Sequence, residues 1–115
     1  RAEDVPGAKV HMTYSWIHPT DTGSHWVNEH EHPYDEVLIF LGSDPDNPHD
    51  LGGEAYLWIE GEKYTIDTSG AVYIPAGTRH CPLDWGTVTR PIRFNALSLS
   101  GDGGYNSDEN VPASE

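Results

Sequence analysis

Basic residues are scarce: 6 Lys and Arg stand against 19 Asp and Glu in 115 residues, a formal charge of −13 with His neutral. Nucleic-acid binding rests on cations that neutralise phosphates, so this chain repels a polyanion, and nucleic acid is excluded as a partner. Cysteine occurs once, as Cys81. One thiol makes neither an internal disulfide nor a thiolate metal site, which sets the cytoplasm as the expected compartment. Long apolar runs are absent too. The longest is Val37-Leu38-Ile39-Phe40-Leu41, where a membrane-spanning helix needs about 20 residues, so no membrane partner is expected. No charged stretch followed by an apolar one opens the chain, although a chain starting at Arg1 can have lost such a leader or a preceding domain. No stretch of ten or more residues keeps a 3.6-residue period, which excludes any helix longer than about one turn. There is no internal repeat.

What is present is punctuation and aromatic surface. Twelve Gly and nine Pro are spread along the chain, with four Trp, six Tyr and two Phe, and 36% of residues are hydrophobic. That suffices for one core and one domain. Between the turn residues the segments are short, alternating and rich in β-branched and aromatic side chains, the pattern of an all-β protein. Strands are expected over residues 10–17, 25–32, 36–41, 54–60, 62–67, 71–74 and 92–99. A hairpin is expected about Gly61, a turn over Asp84–Gly86, and a long loop over Gly42–Gly53 that is either mobile or a lid. The domain is expected to run from 10 to 100, after an N-terminal segment 1–9 and before a flexible acidic tail 101–115. Tyr14, Trp16, Tyr56 and Trp58 are expected in core or dimer packing.

Of seven histidines, three fall in two contexts, His30-Glu31-His32-Pro33-Tyr34-Asp35-Glu36 and Pro75-Ala76-Gly77-Thr78-Arg79-His80. In a strand, residues i and i+2 share a face, so His30 and His32 set two imidazoles side by side. Glu36 can return a carboxylate to the same side. Two imidazoles and a carboxylate suit a divalent transition metal. His25, an odd number of residues from His30, falls on the other face, as do Asp35 beside Glu36 and the Cys81 thiol beside His80.

The two segments together resemble the metal-binding motifs of the cupin superfamily. One motif of that family is HxH, three residues and Glu, and the other is PxGxxH; His30, His32, Glu36 and His80 fill the four ligand positions. The departures concern turns: Gly23 stands one position from the expected glycine, Gly42 comes one residue early, Gly70 is one residue nearer Pro75, and Asp84 replaces an Asn. The resemblance covers about residues 10 to 100. It implies an antiparallel double-stranded β-helix, the jelly-roll barrel, and one divalent metal per chain, with Fe, Mn, Ni, Cu and Zn all found in such sites. Three imidazoles and a carboxylate buried in an apolar barrel are costly without a partner, and a divalent cation supplies one. Two adjacent positions of an octahedron stay open for a small substrate, dioxygen or water.

The substrate residues are expected on the last strand. Arg93, Asn95, Leu97 and Leu99 alternate on one face, so Arg93 is placed at the barrel mouth to hold a carboxylate in a forked pair, Asn95 lies beside it, and Tyr14 and Tyr34 are further donors. Glu36 or a metal-bound hydroxide serves as base. The expected activity is metal-assisted proton transfer (decarboxylase, lyase or isomerase chemistry) or dioxygenation of a small oxygen-rich substrate. The alternative is a non-catalytic sensor module that binds a metal and a small ligand. A homodimer is expected, because dimerisation removes an exposed sheet edge.

Overall fold

The computed structural model describes residues 9–99. The acidic tail 101–115 and, except for Lys9, the N-terminal segment 1–9 lie outside the described residues. Eight strands form, β1 His11–Ile17, β2 His25–Val27, β3 Asp35–Gly42, β4 Asp50–Ile59, β5 Glu62–Thr68, β6 Gly70–Ile74, β7 His80–Val88 and β8 Ile92–Leu99, with one turn of 3-10 helix at Pro19–Asp21. They build two four-stranded antiparallel sheets, ordered β1-β8-β3-β6 and β2-β7-β4-β5. This is the all-β jelly-roll architecture expected.

Alternation decides which side chains lie between the sheets. On β3 the residues Glu36, Leu38 and Phe40 are buried and their neighbours are not. Opposite them on β8 stand Ser98, Ala96 and Phe94. An aromatic cluster fills the space between: Trp85 has Trp26, Phe94 and Phe40 edge-on at 5.6, 5.8 and 6.0 Å between ring centroids. Edge-to-face pairs contribute about 0.5–1.5 kcal/mol each beyond the area they bury. The core tryptophans are therefore Trp26 and Trp85. Tyr14 and Trp16 are exposed on the outer face of the first sheet, and Tyr56 and Trp58 lie half-buried beneath Lys63, whose Nζ is 4.2 and 5.6 Å from their rings.

Three expectations need correction. The strand expected over 25–32 ends at Val27, and His30 continues only as an isolated bridge to His80. The loop after β3 spans only 43–49, because Leu51, isolated among polar residues and glycines in the sequence, is fully buried in β4. The turn at Asp84–Gly86 is the middle of β7, whose Pro82 and Gly86 masked it. Gly86 is there because a Cβ at that position would meet the Tyr56 ring at 2.8 Å, a collision no side chain survives without displacing the ring.

Candidate metal centre

The two histidine segments are tied together by backbone. His30 and His80 exchange both hydrogen bonds, at 3.0 and 2.9 Å, and the Gly77 N–H donates to the His32 carbonyl at 2.9 Å. Gly77 has φ +80°, a left-handed conformation that glycine adopts without strain, which is what the middle of PxGxxH requires. Asp35 fixes the other side of that turn, accepting from the Ala76 N–H at 2.8 Å and from the Tyr73 hydroxyl. The residue beside the Glu36 carboxylate thus points outward and works as a brace.

These contacts bring His30, His32, Glu36 and His80 together, with one potential ligand atom from each lying within 4.8 Å of all the others. His32, Glu36 and His80 are buried and His30 is half-buried. Each imidazole has its Nδ1 on a backbone carbonyl: His30 on Asn28 at 2.8 Å, His32 on Tyr34 at 3.0 Å, His80 on Thr78 at 2.8 Å. A carbonyl only accepts, so each Nδ1 carries a proton and each neutral ring turns the lone pair of Nε2 inward. The Nε2 atoms of His32 and His80 stand 3.4 and 3.2 Å from Glu36 Oε1, and His30 Nε2 is buried without a hydrogen-bond partner. Three inward lone pairs and a carboxylate repel unless a cation lies among them, either extra protons on the rings or a metal ion. The 3.2 and 3.4 Å spacings match the roughly 3.0–3.4 Å between neighbouring ligands bound about 2.1 Å from one ion. The donor set fits a divalent transition metal.

Electrostatics agree with the geometry. Burial pushes the Glu36 carboxyl up, but with no metal bound and the facing Nε2 atoms of His32 and His80 protonated, their hydrogen bonds and charge outweigh it and bring the group down to about 2. His30 is lowered from its usual value by burial first, and by the neighbouring His80 and His32, against an opposing hydrogen bond to Asn28. The His32 ring stacks on Tyr34 at 4.0 Å and 4°, which holds the imidazole plane.

The expected substrate residues are not brought to this cluster. Ser98 Oγ reaches Glu36 Oε2 at 3.5 Å, so the even-numbered side chains of β8 face the interior and Arg93, Asn95 and Leu97 face out. Arg93 stands over Tyr14 and Trp16, 6.0 Å from both ring centroids, and Asn95 approaches Met12 Sδ at 3.8 Å. Arg93 and Asn95 share a face, as alternation on β8 required, and the β1–β8 register adds Tyr14 to it, but it is the outer face. The sequence alone did not fix which side of β8 met the barrel axis. Two residues went unnoticed: Ser98, and His11, which lies beside Ser98 in the same inner row across β1, β8 and β3 and is buried. The inner register of β8 was the only signal for either. His25 and Cys81 are outside the cluster, His25 bound to Asp84 at 2.6 Å and Cys81 buried with its thiol pushed up by burial.

No protein-family model and no curated protein matches the sequence. Solved structures do. A cupin 2 conserved barrel protein of Salinispora arenicola superposes with TM-score 0.57 at 19% identity, over 86% of this chain and 70% of that one. A predicted oxalate decarboxylase of Thermotoga maritima gives 0.56 at 19%, over 80% and 68%. The DMSP lyase DddQ of Ruegeria pomeroyi gives 0.51 at 20%, over 91% of this chain but 42% of the lyase. Two facing four-stranded sheets, four converging side chains from the HxH and PxGxxH segments, and these superpositions together establish that the chain has the cupin fold.

Proposed function

We propose that the protein is a mononuclear metal-dependent enzyme acting on a small oxygen-rich substrate, a carboxylate, carbonyl or enol. The supporting observation is the convergence of three inward Nε2 lone pairs and the Glu36 carboxylate on one point of the barrel interior. His30, His32, Glu36 and His80 would hold one divalent ion per chain, of Fe, Mn, Ni, Cu or Zn. Such an ion acts as a Lewis acid toward a bound oxygen. Glu36 has two distinct oxygens, Oε1 toward the imidazoles and Oε2 toward Ser98, and Oε2 is the proton acceptor in this reading. The half-buried ring of His30 marks the side from which solvent and substrate arrive. Decarboxylase and lyase chemistry come first, because neighbours in fold include a predicted oxalate decarboxylase and a DMSP lyase; isomerisation and dioxygenation use the same ligands. The functional unit is a homodimer in the cytoplasm.

A non-catalytic module that binds a metal and a small ligand is the second reading. It is favoured by the outward placement of Arg93, which removes that cation from an anionic substrate at the cluster. Elemental analysis of untagged protein beside His80→Ala, followed by turnover assays on small carboxylates with the metal found, tests the proposal. Near-stoichiometric metal lost in the variant, together with turnover, supports it. Metal without turnover supports the module, and no metal after reconstitution overturns both.

A further inference from the structure

The outer face of the first sheet is built as if it were an inner one. Its rows, read across β1, β8, β3 and β6, are Trp16–Arg93–Leu41, then Tyr14–Asn95–Ile39–Ala71, then Met12–Leu97–Val37–Tyr73, and finally Leu99–Asp35. Met12, Tyr14, Trp16, Leu41 and Tyr73 are exposed, between 39% and 61%. On β1 alternation puts the large apolar residues outside and Thr13 and Ser15 inside, the reverse of a strand that faces water. Among the described residues of these rows the only charges are Arg93 and Asp35, in a chain with 19 acids among 115 residues.

We infer that this face, rather than a sheet edge, is where a second copy of the chain packs. The inference rests on the homodimer reading above and names its surface. Two chains of −13 repel, so contact favours a surface poor in acids, and among the described residues this face is one. A basic partner would instead seek the acidic remainder of the molecule. The polar groups are self-complementary: Arg93 and Asp35 sit in the end rows, and Asn95 stands between with its Oδ1 buried and without a hydrogen-bond partner. An amide both donates and accepts, so it pairs with its own copy across a two-fold axis, once the exposed Met12 changes rotamer. Rows about 6.8 Å apart on strands about 4.8 Å apart give a footprint of roughly 500 Å² per copy. The pair buries roughly 1,000 Å², the lower bound for a specific interface, which points to a reversible dimer.

Sedimentation equilibrium of the full chain over about 1–200 µM tests this, with Trp16→Asp, Leu41→Asp and the control Tyr64→Ser, a comparably exposed aromatic on β5 of the other sheet. Near-ultraviolet circular dichroism checks that each variant is folded. The wild type is expected to reach twice 12.7 kDa, and each Asp variant to raise the dissociation constant at least about 30-fold, while Tyr64→Ser leaves it unchanged. Added salt tightens the dimer by screening the net charge. A wild type that is monomeric throughout overturns the dimer and its surface together. A dimer indifferent to both Asp variants overturns the surface and leaves the dimer standing. Loss in Trp16→Asp alone, with Leu41→Asp on central strand β3 still dimeric, assigns association to the β1 edge and also overturns the inference.

Discussion

Replacing Glu36 by Gln keeps the shape of the side chain and removes the charge that faces His32 and His80. In the folded, metal-free protein the carboxyl lies at about 2, against an ordinary 4.5. That lowering corresponds to a preference for the ionised form on the order of 3 kcal/mol while His32 and His80 carry their protons. Because the folded value is the lower one, this contribution is complete above about pH 4.5 and is lost as pH falls toward 2. Glu36→Gln resembles a wild type protonated at all pH values, so in chelator-treated protein at pH 7 it is expected to unfold about 3 kcal/mol more easily. That corresponds to a melting temperature lower by about 10–20 °C for a domain of this size. Urea unfolding of both proteins at intervals from pH 7 to 2.5 reads the difference directly. It should be constant down to about pH 4.5 and shrink below it. A difference under about 0.5 kcal/mol at pH 7, or one that does not change with acidification, would refute the placement of a carboxylate between two imidazoles.

Metal affinity is expected to hold down to about pH 6.5 and to fall below it, because three rings must be neutral to bind an ion. Equilibrium dialysis that finds affinity flat from pH 7.5 to 5 would count against His30, His32 and His80 as ligands. The metal-free fold also weakens on acidification through His30: its folded value is depressed, so its contribution is present above its unfolded value of about 6.5 and declines as pH falls toward the lower one. Ser98→Ala frees Glu36 Oε2 and is expected to weaken metal binding about 10- to 100-fold with little change in unfolding, as removal of an outer hydrogen bond to a ligand does elsewhere; unchanged affinity in a competition titration would remove Ser98 from the site. Gly77→Ala forces a φ of +80° on a residue with a Cβ, at a cost of about 1–2 kcal/mol. The same variant is expected to loosen the His80 ligand, and a thermal melt equal to wild type would show that the turn does not need its glycine.

Much of this protein was legible because short-range chemistry specified it. Period-two alternation, broken by Gly and Pro, predicted β1, β3, β5, β6 and β8 within a residue or two, since alternation is set by the strand backbone itself. HxH with Glu36 set two imidazoles and a carboxylate on one side, and the resemblance of PxGxxH to the second cupin motif added His80 to the side chains that converge. Strand β7 was hidden: Pro82, Asp84 and Gly86 read as a turn, and only the packing of the Tyr56 ring over Gly86 explains a glycine within a strand. Leu51 gave no periodic signal, and its burial depends on where β4 meets the opposite sheet.

Sequence alone determined that the chain is all-β, and its likeness to the cupin motifs grouped His30, His32, Glu36 and His80 as one set. Tertiary structure decided facing. Arg93 and Asn95 were grouped on one face of their strand, yet a period of two cannot say which side is inward. Only the closing of one sheet over the other, with Ser98 directed at Glu36, turned that face to the outside. The same closure gathered imidazoles from separate segments around one carboxylate, because register between strands distant in sequence is fixed by the packing of the whole barrel.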